Sequence, residues 1–512
     1  MINHIVILPV IWPLLLGALL LLLQKQSLQV LRIVSISSVS VLVLLTGWLL
    51  SIVHSGEILV YVLGNWAPPF GIVLVADRLA AWMLIITALV SWCALVYAVR
   101  GTDTAGPHFH VLFQLQLFGL NGAFLTGDLF NLFVFFEILL LASYGLLLHG
   151  GGRLRTMAGL HFVIINLVGS TLFLFAVGTL YGLLGTLNMA DLAVKVANTP
   201  VEDIALIRTA GLLLFAVFAL KTALLPLYLW LPAAYAHTSA PVAALFAIMT
   251  KVGAYCILRV YTLIFGERAG PIADLIEPWL LPLALATLIA GVLGVLASTH
   301  LRQQVAYLVV ASVGTLLIAF GINTSAGIAA GLYYLPHSTF AAAAFFLLAD
   351  SIVNRRGEMS DRFEPGLIML HQRIVGTLFF VMAILVAGLP PLSGFVGKFL
   401  ILQAALSHVA LSWIMATILI TSLFTIIALA RSGSLLFYRA QAPEATHAAT
   451  DDHTQPIITP HGISGLAIPV CLLTLCVALM IWAGAITEFA QETANQLLHP
   501  DDYIQSVLGT GK

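Results

Sequence analysis

Residues 126–147 read TGDLFNLFVFFEILLLASYGLL. From Leu129 to Leu148 the chain offers twenty residues with a single charged side chain, Glu137, near the middle. At a rise of about 1.5 Å per residue, such a run spans the roughly 30 Å hydrocarbon core of a bilayer. A carboxylate at that depth costs at least about 2.5 kcal/mol, so it has to face a partner or a hydrated space. The stretch therefore makes two statements, a membrane-crossing helix and a buried charge with a purpose.

The rest of the chain agrees with the first statement. Of 512 residues, 61% are hydrophobic and only 8% charged. Backbone groups find no water in hydrocarbon, so apolar runs of this length cross as helices, and the fold class is all-α and polytopic. Apolar windows cut at polar and Pro/Gly-rich breaks predict fourteen crossings, near 4–23, 29–53, 78–99, 108–126, 128–149, 157–184, 204–231, 241–265, 274–298, 301–321, 326–350, 373–407, 410–437 and 462–486. The first, lacking a basic lead and a small-residue cleavage site, reads as a helix and not as a signal peptide. With the N-terminus outside, about twelve Lys and Arg, from Lys25 to Arg439, share one side and about five, from Arg78 to Lys512, the other. The positive-inside rule then makes the richer side cytoplasmic and both termini extracytoplasmic, as in the inner membrane of a bacterium.

Two segments read as non-membrane structure. Glu57 to Val75 holds two β-branched runs around a Gly/Asn/Pro turn, an external hairpin, and Gln441 to His461 reads as a polar cytoplasmic loop. The net charge of -1 recruits neither nucleic acid nor an acidic ligand. The cysteines Cys93, Cys256, Cys471 and Cys476 match no metal spacing, and no phosphate loop or dinucleotide fingerprint occurs. The sequence thus calls for no cofactor and no metal, and energy has to come from an ion gradient or a partner.

The buried charges carry the function. Besides Glu137, Lys221, Lys251 and Lys398 fall deep in apolar runs, with Arg259 on the same helix as Lys251. The bland reading is a structural ion pair, but one carboxylate does not neutralise three lysines and an arginine. Lysines short of both acid and water can exchange their protons, which is how a proton path is built. Lys221 lies beside Pro226 in KTALLPLYLWLP, and Lys398 follows Pro390 and Pro391 in GLPPLSGFVGK. Proline removes a backbone donor, so both lysines sit at a broken helix. The recurrence of lysine and break about 175 residues apart suggests an internal duplication. His337, in LYYLPHSTFAAAAFFLLAD, is either a packing residue or a relay that titrates near neutrality. Asp128 reads as a helix cap, and His161 and His237 as residues near helix ends.

These residues resemble a known family, the antiporter-like subunits shared by respiratory complex I and the multisubunit Mrp cation/proton antiporters, and within it the D-type branch of the Mrp antiporters. The resemblance rests on GNWAPPFGIVLVADRL (64–79), TGDLFNLFVFFEILLLASYGLL (126–147), LKTALLPLYLWLPAAY (220–235), TKVGAYCILRVY (250–261) and AGLPPLSGFVGKF (387–399), and it covers essentially the whole chain. It implies two inverted five-helix repeats, 108–265 and 274–437. Residues 1–107 then hold the first three helices and the hairpin, 438–461 a cytoplasmic loop, and 462–512 the last helix and tail. It further implies a functional set of Glu137, Lys221, Lys251, His337 and Lys398, obligatory partner subunits, and exchange of protons for Na⁺ or K⁺. The alternative within the family is a proton-pumping subunit of a complex I-like dehydrogenase or hydrogenase. Many relatives carry a lysine one turn after the histidine, where this chain has Ala341, so its second half relies on His337 and Lys398.

Overall fold

The structure is a computed structural model that describes residues 2–366, 368–439 and 463–509; the loop expected at 441–461 lies outside the described residues. Among the described residues, twelve helices are long and apolar enough to cross a membrane, from Leu8–Lys25 to Ser464–Ile481. Phe109–Leu125 is a shorter apolar helix among them, and Gln372–Ala387 and Ser393–Ser407 are two more, separated by GLPPL. Counting Phe109–Leu125 as one crossing and the last two as halves of another brings the described residues to the fourteen crossings expected from hydropathy. The chain is a multi-pass membrane protein.

Local chemistry sets where the helices begin. Asp77 accepts from Ala80 N at 2.9 Å, Asp128 from Asn131 N at 2.8 Å, and Thr324 from Gly327 N at 3.1 Å, each capping a helix at its first turn. Prolines inside the crossings leave carbonyls free four residues earlier, and side chains from other helices take them up. Pro13 frees the Pro9 carbonyl, which accepts from Asn121 Nδ2 at 2.7 Å. Pro336 frees the Leu332 carbonyl, which accepts from Trp82 Nε1 at 3.1 Å. Small residues let backbones touch where crossings pack tightly: a Cβ on Gly291 would stand 2.6 Å from Ala311 N, and one on Gly314 2.5 Å from Leu288 N. These contacts clamp Glu277–Ala297 against Leu301–Gly321.

Between the second and third crossings, Leu59–Val62 and Val73–Ala76 pair antiparallel, with Leu59 opposite Ala76 and Val62 opposite Val73. The second strand is wholly buried and bridges to Thr126. Among the described residues, the helices Met189–Ala197 and Asp501–Gly509 lie outside the predicted crossings, and Trp230–His237 and Ala483–Leu498 extend beyond them.

Candidate functional site

Both lysine-bearing helices are broken where the prolines place the break. Ile204–Thr222 stops one residue after Lys221, with Ala223 in the left-handed region (φ 64°), and helix resumes at Trp230–His237. The interrupted backbone is satisfied from outside: Leu225 N donates to Thr287 Oγ1 at 2.9 Å, and the Leu220 carbonyl accepts from Trp230 Nε1 at 3.1 Å. Gln372–Ala387 likewise ends at Gly388 (φ 80°) before Ser393–Ala404 begins.

Glu137 and Lys221 do not form a direct ion pair within 4 Å. They meet through one face of Arg153–Leu184 instead. Ser170 Oγ donates to Glu137 Oε1, and one turn away Asn166 Oδ1 accepts from Lys221 Nζ at 3.1 Å. Residues four apart on a helix are neighbours, so the carboxylate and the ammonium are held about one turn from each other. Asn166 Nδ2 donates to the Phe162 carbonyl at 2.8 Å, which aims its oxygen at the lysine. The Phe136 ring, 5.7 Å from Lys221 Nζ, adds a cation–π contact.

Lys251 is fully buried, and its hydrogen-bond partner is Ser312 Oγ at 3.4 Å. Its helix, Met249–Leu263, packs directly on the first break: a Cβ on Gly253 would lie 2.7 Å from Thr222 N. Ser312 also lines an internal cavity of about 40 Å³ shared with Thr315, His337, Ala341 and Lys398. That volume holds on the order of two to three waters. His337 Nδ1 shares a 2.9 Å hydrogen bond with Ser393 Oγ, at the start of the second half-helix. Lys398 Nζ donates to Ser422 Oγ at 2.9 Å and reaches back across its break to the Ala387 carbonyl at 2.8 Å. Lys221 and Lys398 thus both place a cation at the C-terminal end of a half-helix, where exposed carbonyls and the helix dipole favour it.

One expectation is corrected. Arg259 is not an uncompensated charge: its two terminal nitrogens donate to the Asp77 carboxylate at 2.6 and 2.7 Å, and it lies between the Tyr255 and Tyr503 rings. Asp77 is a helix-capping residue 182 positions away, so no local pattern announced the pair. Asn166, Ser170, Ser312, Ser393 and Ser422 were also missed, since single hydroxyls and amides in apolar runs carry no motif. His161 faces outward. His237 instead lines a cavity of about 420 Å³ at one end of the bundle, with His300, Arg302 and Asp361.

Two broken membrane helices, each with a lysine at the break, and a carboxylate poised by the first define an antiporter-type membrane subunit. The family described as NADH:quinone oxidoreductase/Mrp antiporter, TM, matches residues 126–425, and the chain belongs to it. It is 39% identical to the D-type subunit of a probable K(+)/H(+) antiporter of Rhizobium meliloti (strain 1021), over 99% of this chain and 98% of that protein. It is 36% identical to the D-type subunit of the Na(+)/H(+) antiporter of Bacillus subtilis (strain 168), over 99% of both. A chain of the Mrp complex from Dietzia sp. DQ12-45-1b superposes with a TM-score of 0.87 at 27% identity, over 99% of both. Respiratory complex I from Thermus thermophilus shares the fold, with a TM-score of 0.75 at 24% identity, over 96% of this chain and 99% of that one.

Proposed function

We propose that this chain is the proton-carrying D-type subunit of a multisubunit monovalent cation/proton antiporter in a bacterial inner membrane. Protons pass among Lys221, Lys251, His337 and Lys398, with Glu137 setting how firmly Lys221 holds its proton. The observation that carries this reading is that two buried lysines, Lys221 and Lys251, and the half-buried Lys398 have hydroxyl, amide or carbonyl oxygens as partners and, among the described residues, no carboxylate within ion-pair distance. Such groups gain and lose protons with little rearrangement, and the cavity beside Ser312, His337 and Lys398 gives water a place to bridge them. An opposite charge favours the protonated lysine, so moving Glu137 toward or away from Lys221 would load or release its proton. Cation movement elsewhere in the complex can exert that control.

The duplicated lysine and break support two repeats over 108–265 and 274–437, and the Lys and Arg distribution supports termini on the extracytoplasmic side. The relatives named as Na⁺/H⁺ and K⁺/H⁺ antiporter subunits support exchange against one of these cations and assembly with further subunits. The test is cation/proton exchange in everted vesicles holding the full complex. Glu137→Ala and Lys221→Ala complexes that assemble should lose exchange; normal exchange by either defeats the proposal.

A further inference from the structure

The buried lysines account for one line of polar groups, but a second lies wholly outside them, among the first four crossings. On Phe109–Leu125, His110, Gln114 and Asn121 fall four and eleven residues along, the spacing of one helix face. All three are at least nine-tenths buried. His110 Nδ1, both amide atoms of Gln114 and Asn121 Oδ1 find no hydrogen-bond partner among the described residues. On Leu28–Val53, Ser35 and Ser38 are equally buried and their hydroxyls equally unpartnered. Unpaired polar groups in a membrane interior are costly, and so many together imply that something hydrogen-bonds to them.

The groups line one route. Leu8–Leu22 touches three of these residues in register: a Cβ on Gly17 would lie 3.4 Å from Gln114 Cβ, Trp12 Nε1 donates to the Ser38 carbonyl at 3.0 Å, and Pro9 O accepts from Asn121. At one end the route opens into a cavity of about 220 Å³ lined by Gln24, Asp103, His108 and His110. There Arg32 donates to both Asp103 oxygens at 2.5 and 2.8 Å, and His110 Nε2 stands 3.4 Å from the same carboxylate. From His110 to Asn121 the rise is about 16 Å, half a bilayer. The inner end reaches the depth of Lys251. Phe124 O accepts from Tyr255 OH at 2.7 Å, the two helices run in the same direction because three crossings separate them, and one turn earlier on each lie Asn121 and Lys251. Beside Lys251, Thr250 Oγ1 is unpartnered as well among the described residues.

We infer that the first four crossings enclose a hydrated proton inlet, running from the Asp103–His110 mouth past Gln114 to Asn121. Its lining of neutral amides and hydroxyls orders a chain of water, along which a proton can pass by hydrogen bonds. The inlet adds a feed to the lysine row and so rests on the reading of this chain as a proton carrier.

The test separates the two claims. In vesicles holding the full complex, Gln114→Cys and Ser35→Cys should react with a charged, membrane-impermeant methanethiosulfonate at least about tenfold faster than Phe113→Cys, and only from the side of Arg32. The unsubstituted chain supplies the background from its own cysteines. Assembled Gln114→Leu/Asn121→Leu complexes should exchange cation for proton several-fold more slowly. Labelling no faster than Phe113→Cys shows a dry bundle and overturns the inlet whatever the lysines do. Fast labelling with full exchange by the double variant overturns its role in proton delivery. Loss of exchange in Lys221→Ala, measured alongside, shows that the proton-carrier reading itself stands.

Discussion

Lys251 and Arg259 lie two turns apart on one buried helix, and they have opposite surroundings. Arg259 is held by both oxygens of Asp77, between two tyrosine rings, with the carboxylate matching its fork. Lys251 has a single serine hydroxyl at 3.4 Å. Depth in the membrane is the same kind of anomaly for both, so depth does not identify a working charge. The partner does: a guanidinium keeps its proton at all relevant pH values and is locked by its fork geometry, whereas an under-partnered ammonium is free to exchange. The same contrast separates the halves of the lysine row. In the first half a carboxylate faces the lysine across one helix face; in the second the lysine has a freed carbonyl and a small cavity beside it.

The sharpest way to break this comparison is to replace both cations by methionine. Lys251→Met should leave assembly intact and lower exchange by on the order of 100-fold, the contribution of a positioned proton-transfer group. Arg259→Met should instead strand Asp77 and destabilise the complex by about 3–5 kcal/mol, the cost of removing one partner of a buried pair. Thermal unfolding of the solubilised complex and exchange in vesicles read the two effects separately. Equal loss of exchange with equal stability would erase the distinction.

Next in size is the difference between the halves. Lys221→Ala removes the cation that shares a helix face with Glu137 and should match the Lys251 effect. Lys398→Ala leaves His337, Ser422 and the cavity, and should cost about tenfold. A larger loss for Lys398→Ala would reverse the order of importance. A smaller effect is expected from Ala341→Val, which places two carbons into a cavity of about 40 Å³. If water bridges Ser312, His337 and Lys398, exchange should fall several-fold with normal assembly, and unchanged exchange would leave the second half without its bridge.

Much of this was legible in the sequence because it depends on periodicity and proline. Crossings announce themselves by apolar length, and Pro226, Pro390 and Pro391 mark the two interruptions by what proline cannot donate. Glu137 and the three lysines stand out because so little else in those runs is charged. What stayed hidden is pairing over distance. Arg259 reads as a surplus charge until folding joins it to Asp77 across 182 positions. Asn166 and Ser170 are unremarked residues until Lys221 and Glu137 arrive on the same face. The helix Met189–Ala197 was also missed, being too short for a crossing and amphipathic in a stretch cut as a connection.

The smallest expected effect concerns pH, and it bounds where the pH dependence of transport can originate. Asp103 is held down to about 2 from an ordinary value of 3.8: burial works against ionisation, but hydrogen bonds from His110 and Arg32 outweigh it. Asp361 is lowered in the same way, its burial overcome by Arg302, whose backbone and side chain both donate to it. A carboxylate depressed in the folded state binds fewer protons there than in the unfolded chain, so stability rises with pH across that window. The contribution is complete above the ordinary carboxylate range and is lost as pH falls toward 2. Asp103→Asn should therefore lower the melting temperature of the solubilised complex by a constant few degrees from about pH 5 to 8, with the gap to the unsubstituted chain closing below about pH 4. A gap that changes between about pH 6 and 8 would mean that this pair titrates in the working range. If it stays constant, the Asp103–His110 pair is not the source of any change in exchange rate across that range.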